Sequence, residues 1–146
     1  MKRKITILFF MTSVLLLFSQ DNTSINGEWY TADKEAVVTI FIEGGTFSGK
    51  TTWMKEPFDE NGKPKLDKLN PNEELRTRKR LGLKIMEGFI FKGDNVWEDG
   101  RIYKPTNGKT YGGTATLIDQ NTLSLKGYLL NLPFIGKKST WTRKID

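Results

Sequence analysis

Gly44 to Thr51, reading GGTFSGKT, satisfies the GxxxxGK[ST] pattern of a phosphate-binding loop. That chemistry needs a strand running into a glycine loop and then a helix whose first N–H groups face the phosphates. Here Lys50 is followed by the strand formers Thr51-Thr52-Trp53, and Pro57 arrives before a helix can develop. Gly44-Gly45 therefore reads as a tight hairpin turn. Asp94, Glu98 and Asp99, with Glu87 upstream, offer oxygen ligands for a hard cation or a pair of carboxylates for hydrolysis. They follow no ligand spacing, and a solvated turn is the simpler reading. With 0 His and 0 Cys the chain lacks the usual zinc, copper and haem ligands and any Ser-His or Cys-His nucleophile pair. The expectation is no metal, no cofactor and no catalysis.

A different chemistry suits the cationic and aromatic residues. Trp97 to Tyr111, WEDGRIYKPTNGKTY, places two aromatic-rich strand signals about one turn, and Arg76 opens the basic run Arg76-Thr77-Arg78-Lys79-Arg80. Arg76, Trp97, Arg101, Tyr103, Lys109 and Tyr111 together suit a ligand with an apolar body and an acidic head. In the competing view Arg101 and Lys109 are an exposed cross-strand pair and the tyrosines are packing.

Strands must carry these residues. Gly27 to Thr31, Ala36 to Glu43, Thr46 to Trp53, Leu83 to Phe91, Val96 to Tyr103, Lys109 to Ile118, Thr122 to Tyr128 and Lys137 to Lys144 each show β-favouring residues with two-residue alternation. Leu83, Ile85, Phe89 and Phe91 share one face around an odd Glu87, and Tyr111, Gly113, Ala115 and Leu117 share another. Turn residues separate the segments: Gly44-Gly45, Gly93-Asp94-Asn95, Asn107-Gly108 and Asp119-Gln120-Asn121, with Leu132 to Gly136 expected as a further connection. Met54 to Arg80 breaks the pattern with Pro57, Gly62, Pro64 and Pro71. A helical turn is expected there, capped by Asn70 or Asn72, in a loop of the length that often serves as a lid or binding loop. Eight antiparallel strands in sequence favour an all-β up-and-down barrel, whose closure removes exposed edges; a two-sheet sandwich is the alternative.

The amino terminus has its own logic. Basic Met1-Lys2-Arg3-Lys4 precedes an apolar run from Ile5 to Phe18, the pattern of a signal peptide over residues 1–19, with the single domain at 20–146. The absence of cysteine removes the lipid acceptor of a bacterial lipoprotein, so export to the periplasm or medium is expected without a membrane span or lipid anchor. Losing Lys2, Arg3 and Lys4 and no acid leaves a formal charge of +3 in place of +6. Such a mild excess does not suggest a nucleic-acid partner.

Gly27-Glu28-Trp29 on the first strand resembles the GxW of lipocalins, whose last strand brings an arginine across the indole to plug one end of the barrel. Arg143 stands at the matching place, beside Trp141. More broadly, Asn70-Pro71, Leu75-Arg76, Gly82-Leu83, Trp97, Gly100, Ile102-Tyr103, Pro105, Gly108-Lys109-Thr110-Tyr111, Gly127-Tyr128 and Trp141-Thr142-Arg143 are similar to the bacterial family called domain of unknown function 2147. The resemblance implies an exported, lipocalin-like barrel and brings no established activity. Two functions follow as expectations: a carrier of a small apolar or amphipathic ligand, or an envelope interaction module with a filled barrel, presenting the 54–80 loop to a protein or cell-wall polymer.

Overall fold

The computed structural model describes residues 22–146, so the signal-peptide expectation lies outside the described residues. Eight strands form: β1 Gly27–Tyr30, β2 Ala36–Glu43, β3 Thr46–Met54, β4 Lys84–Gly93, β5 Val96–Lys104, β6 Lys109–Asp119, β7 Thr122–Leu129 and β8 Leu132–Arg143. Each pairs antiparallel with its neighbour in sequence, and β1 pairs with β8, closing an up-and-down barrel. No described helix is long and apolar enough to cross a membrane.

Alternation builds the core. Trp29, Val38, Ile40, Phe47, Met86, Phe89, Trp97, Ala115, Leu123, Leu125 and Trp141 point inward and form one buried cluster, each large side chain contributing about 1.5–3 kcal/mol by leaving water. The turn Gly44-Gly45 joins β2 to β3, both residues at positive φ, and the GGTFSGKT stretch is hairpin rather than phosphate loop. Glu87 is no longer odd. Positive φ at Gly88 breaks the alternation along β4, where the β3–β4 register also shifts, so Met86 and Phe89 both face in while Glu87 faces solvent.

The stretch Leu132 to Gly136 differs from expectation. It is the start of β8 rather than a connection, and the turn is Leu130-Asn131. Pro133 is tolerated because β8 meets β1 only at Thr142 and Arg143, so the beginning of β8 is a free edge that needs no N–H there. The helical turn proves to be a short 3₁₀ segment, Glu73–Leu75, with Asn72 as its cap.

Up-and-down order sends successive connections to opposite ends. One end holds residues 22–26, Gly44-Gly45, Asp94-Asn95 and Gln120-Asn121; the other holds residues 31–35, the long 55–83 loop, 105–108 and Leu130-Asn131.

Candidate ligand-binding site

The first of these ends is plugged. Trp29 is fully buried, and its indole Nε1 donates to the Ile25 carbonyl at 2.8 Å. The Arg143 guanidinium lies 4.2 Å from the ring centroid, donating to the carbonyls of Asn26 and Ser24 at 2.7 Å and of Gln120 at 2.8 Å. Burial pulls the guanidinium's pKa down, yet the three carbonyls and the indole face stabilise the charge. Gly27 has φ +122°, and a Cβ there would come within 2.8 Å of Arg143 Nη1, so glycine leaves the arginine its place. Trp141 completes the packing from the same strand as Arg143, 6 % exposed.

The opposite end is hollow. A cavity of about 900 Å³ opens there, within the size range of sites for small ligands. Ile85, Ile102, Tyr111, Leu125 and Trp141 give it an apolar wall, and Thr51 and Ser139 add hydroxyls. Cations stand around the mouth: Lys65, Arg80, Lys104, Lys137 and Lys138, with Asp33, Glu35 and Glu56 as the acids. Lys65 is engaged with Glu56 at 3.7 Å, and Arg80 donates to the Leu66 carbonyl at 3.0 Å. Lys137 forms no ion pair among the described residues and follows the alternation Trp141, Ser139, Lys137, Ile135 along β8. That stepping was available in the sequence, counting back from Trp141.

The long loop is tied to the β5–β6 hairpin by one buried carboxylate. Asp67 is 0 % exposed. Its Oδ1 accepts from the Tyr103 hydroxyl at 2.5 Å, and its Oδ2 accepts from Asn70 Nδ2 at 2.9 Å and Arg78 Nε at 3.0 Å. Burial alone would raise the Asp67 pKa, but the bonds from Tyr103, Asn70 and Arg78 outweigh it and hold the carboxyl below the usual range. The Tyr103 hydroxyl is pushed up, first by burial and then by its bond to Asp67. Gly108, at φ +70°, lets the hairpin turn approach the Leu69 carbonyl so closely that a Cβ would overlap it. Further bonds brace the loop, with isolated bridges at Phe58–Pro64 and Leu66–Lys79. The connection is a strap, not a flap.

Of the residues expected to meet a ligand, Tyr103 and Tyr111 border the cavity. Trp97 is 0 % exposed, packed against Phe47 and Phe91 in the core, its Nε1 without a hydrogen-bond partner. Arg76 donates to the Asn70 carbonyl and sits 3.5 Å from Glu73 in the loop. Arg101 is exposed opposite Gly112 and Glu87, and Lys109 is exposed opposite Lys104, so the two cations are not a cross-strand pair. The acids do not converge: Asp99 pairs with Lys92 at 3.1 Å and Glu87 with Lys84 at 3.9 Å, all on the outside. Asp67, Lys137 and Ser139 were missed by sequence reasoning. Asp67 carries no local signal, because its partners include Tyr103, 36 residues away.

Residues 27–143 match the family described as an uncharacterized protein conserved in bacteria, domain of unknown function 2147. The chain belongs to this family. The barrel is similar to the solved structure of protein HP1028 from the human pathogen Helicobacter pylori, described as belonging to the lipocalin family, with a TM-score of 0.71, 27% identity, and 83% of each chain covered. None of the curated proteins matches the sequence. The family match spans both ends of the barrel, from Gly27 of the plug through the Asp67 strap to Arg143.

Proposed function

We propose that this family member is an exported carrier that holds a small amphipathic molecule at the hollow end of its barrel and performs no covalent chemistry on it. The observation that carries the reading is the cavity of about 900 Å³, apolar in its wall and with more cations than acids at its mouth. An acyl or ring-bearing body would lie against Ile85, Ile102 and Leu125, with Tyr103 and Tyr111 at its flank. An acidic head would meet Lys137, the cation that alternation directs to the mouth. Export rests on the basic start and apolar run of residues 1–19.

The test is native mass spectrometry on protein exported by its own leader from a bacterial host, with solvent extraction of what it retains. A stoichiometric small molecule released on denaturation supports the carrier. A bare mass across hosts, with no uptake of an apolar fluorophore, would sink it. The interaction-module reading keeps one observation in its favour: the strap, held by the Asp67 bonds and its own bridges, shows Phe58 and Leu69 to solvent, 57 % and 54 % exposed. A hollow rather than filled barrel weighs against it.

A further inference from the structure

The tip of the β7–β8 hairpin is apolar and uncovered. Leu129, Leu130, Leu132 and Ile135 are between 40 % and 47 % exposed, and Phe134 is 80 % exposed. Directly behind this tip stand Lys126, Lys137 and Lys138, none of them in an ion pair among the described residues. Lys126 and Lys138 are cross-strand partners, an arrangement of like charges that destabilises a sheet unless something outside it supplies the counter-charge. An apolar point with a cationic collar matches a surface whose interior is apolar and whose skin is anionic.

We propose that this hairpin docks the barrel on an anionic lipid surface, seating Phe134 and the leucines among the headgroups while the outward-facing pair Lys126 and Lys138 meets lipid phosphates. The depth is set by the backbone. The beginning of β8 has no strand beyond it, since β1 pairs only with Thr142 and Arg143. Its edge N–H and C=O groups need water or headgroup partners, so the hairpin stops at the interface and does not enter the hydrocarbon. This inference stands on the hairpin's own surface and goes beyond the carrier reading. The two meet in space, because Leu129, Ile135 and Lys137 also border the cavity mouth, where an amphipathic molecule would pass between bilayer and barrel.

The experiment is co-sedimentation of the chain lacking residues 1–19 with vesicles of phosphatidylcholine alone and of phosphatidylcholine with phosphatidylglycerol. The expected result is a preference of roughly tenfold or more for the anionic vesicles, falling as salt is raised. Phe134→Asp and Lys138→Glu should each remove most of it without lowering the melting midpoint. Both sites are exposed, and the glutamate would face Lys126. Equal sedimentation with both vesicles, or anionic binding indifferent to Phe134→Asp, would overturn the proposal. So would a chain that ignores vesicles but self-associates through the tip, or one whose lysines and Pro133 only guard a free edge against other strands. Uptake of an apolar fluorophore, measured on the same samples, separates this proposal from the carrier reading: either can fail while the other holds.

Discussion

The two ends of this barrel solve opposite problems with the same kind of material. At the plugged end an arginine and a tryptophan from the last and first strands stack directly, and every guanidinium nitrogen has a carbonyl. At the hollow end a buried aspartate gathers a tyrosine, an asparagine and an arginine, and this holds a strap beside a cavity instead of filling it. The plug closes the core with side chains. The strap fixes backbone and leaves space. A polar network at the rim keeps a mouth in shape where apolar packing would have sealed it.

The sharpest way to break the comparison is at the plug. Trp29→Ala removes a fully buried indole and should destabilise the fold by about 3–5 kcal/mol; an unchanged denaturation midpoint would show that this end is not sealed by the tryptophan. Asp67→Ala should cost less, about 1–3 kcal/mol, because it orphans the Tyr103 hydroxyl and the Arg78 guanidinium without opening the core. Hydrogen exchange should then rise in the 57–80 strap while β1 and β8 stay protected. Gly108→Ala, forced to φ +70° against the Leu69 carbonyl, should cost about 1–3 kcal/mol and loosen the same strap.

Acid gives a gentler version of the Asp67 experiment. The carboxyl titrates lower in the folded protein than in the unfolded chain, so its stabilisation is present above the unfolded pKa. It fades as pH falls through the folded pKa. Strap protection should therefore drop below the usual carboxylate range in the native chain and show a flatter acid limb in Asp67→Asn. The smallest effect on stability belongs to Ser139→Trp, a part-buried cavity residue whose hydroxyl donates to the Leu125 carbonyl at 3.4 Å, at about 1 kcal/mol. Its effect on uptake of an apolar fluorophore should be large, since the ring occupies the mouth. Undiminished uptake would place the binding space elsewhere.

The sequence alone determined the strand count, the order of hairpins and the plug. The strands and hairpins rest on short-range rules, two-residue alternation and glycine and asparagine turns, whereas the plug came from the resemblance of Gly27-Glu28-Trp29 and Arg143 to the lipocalin pattern. One breaker misled, because Pro133 ends a strand only where its N–H is wanted, and whether an edge is free is decided by β1 stopping at Tyr30. The residues similar to the family pattern in the middle of the chain, among them the ligand candidates Trp97, Arg101, Tyr103 and Lys109, divide between different tasks. Tyr103, Asn70 and Gly108 hold the strap, Trp97 and Gly100 build the core, and Arg101 and Lys109 face water. Only the tertiary structure decided that Asp67 is the anchor, that the cations at the mouth include Lys137, and that one end is hollow. The reason is physical: burial and enclosed volume are sums over side chains from many strands, and no local window of sequence contains that sum.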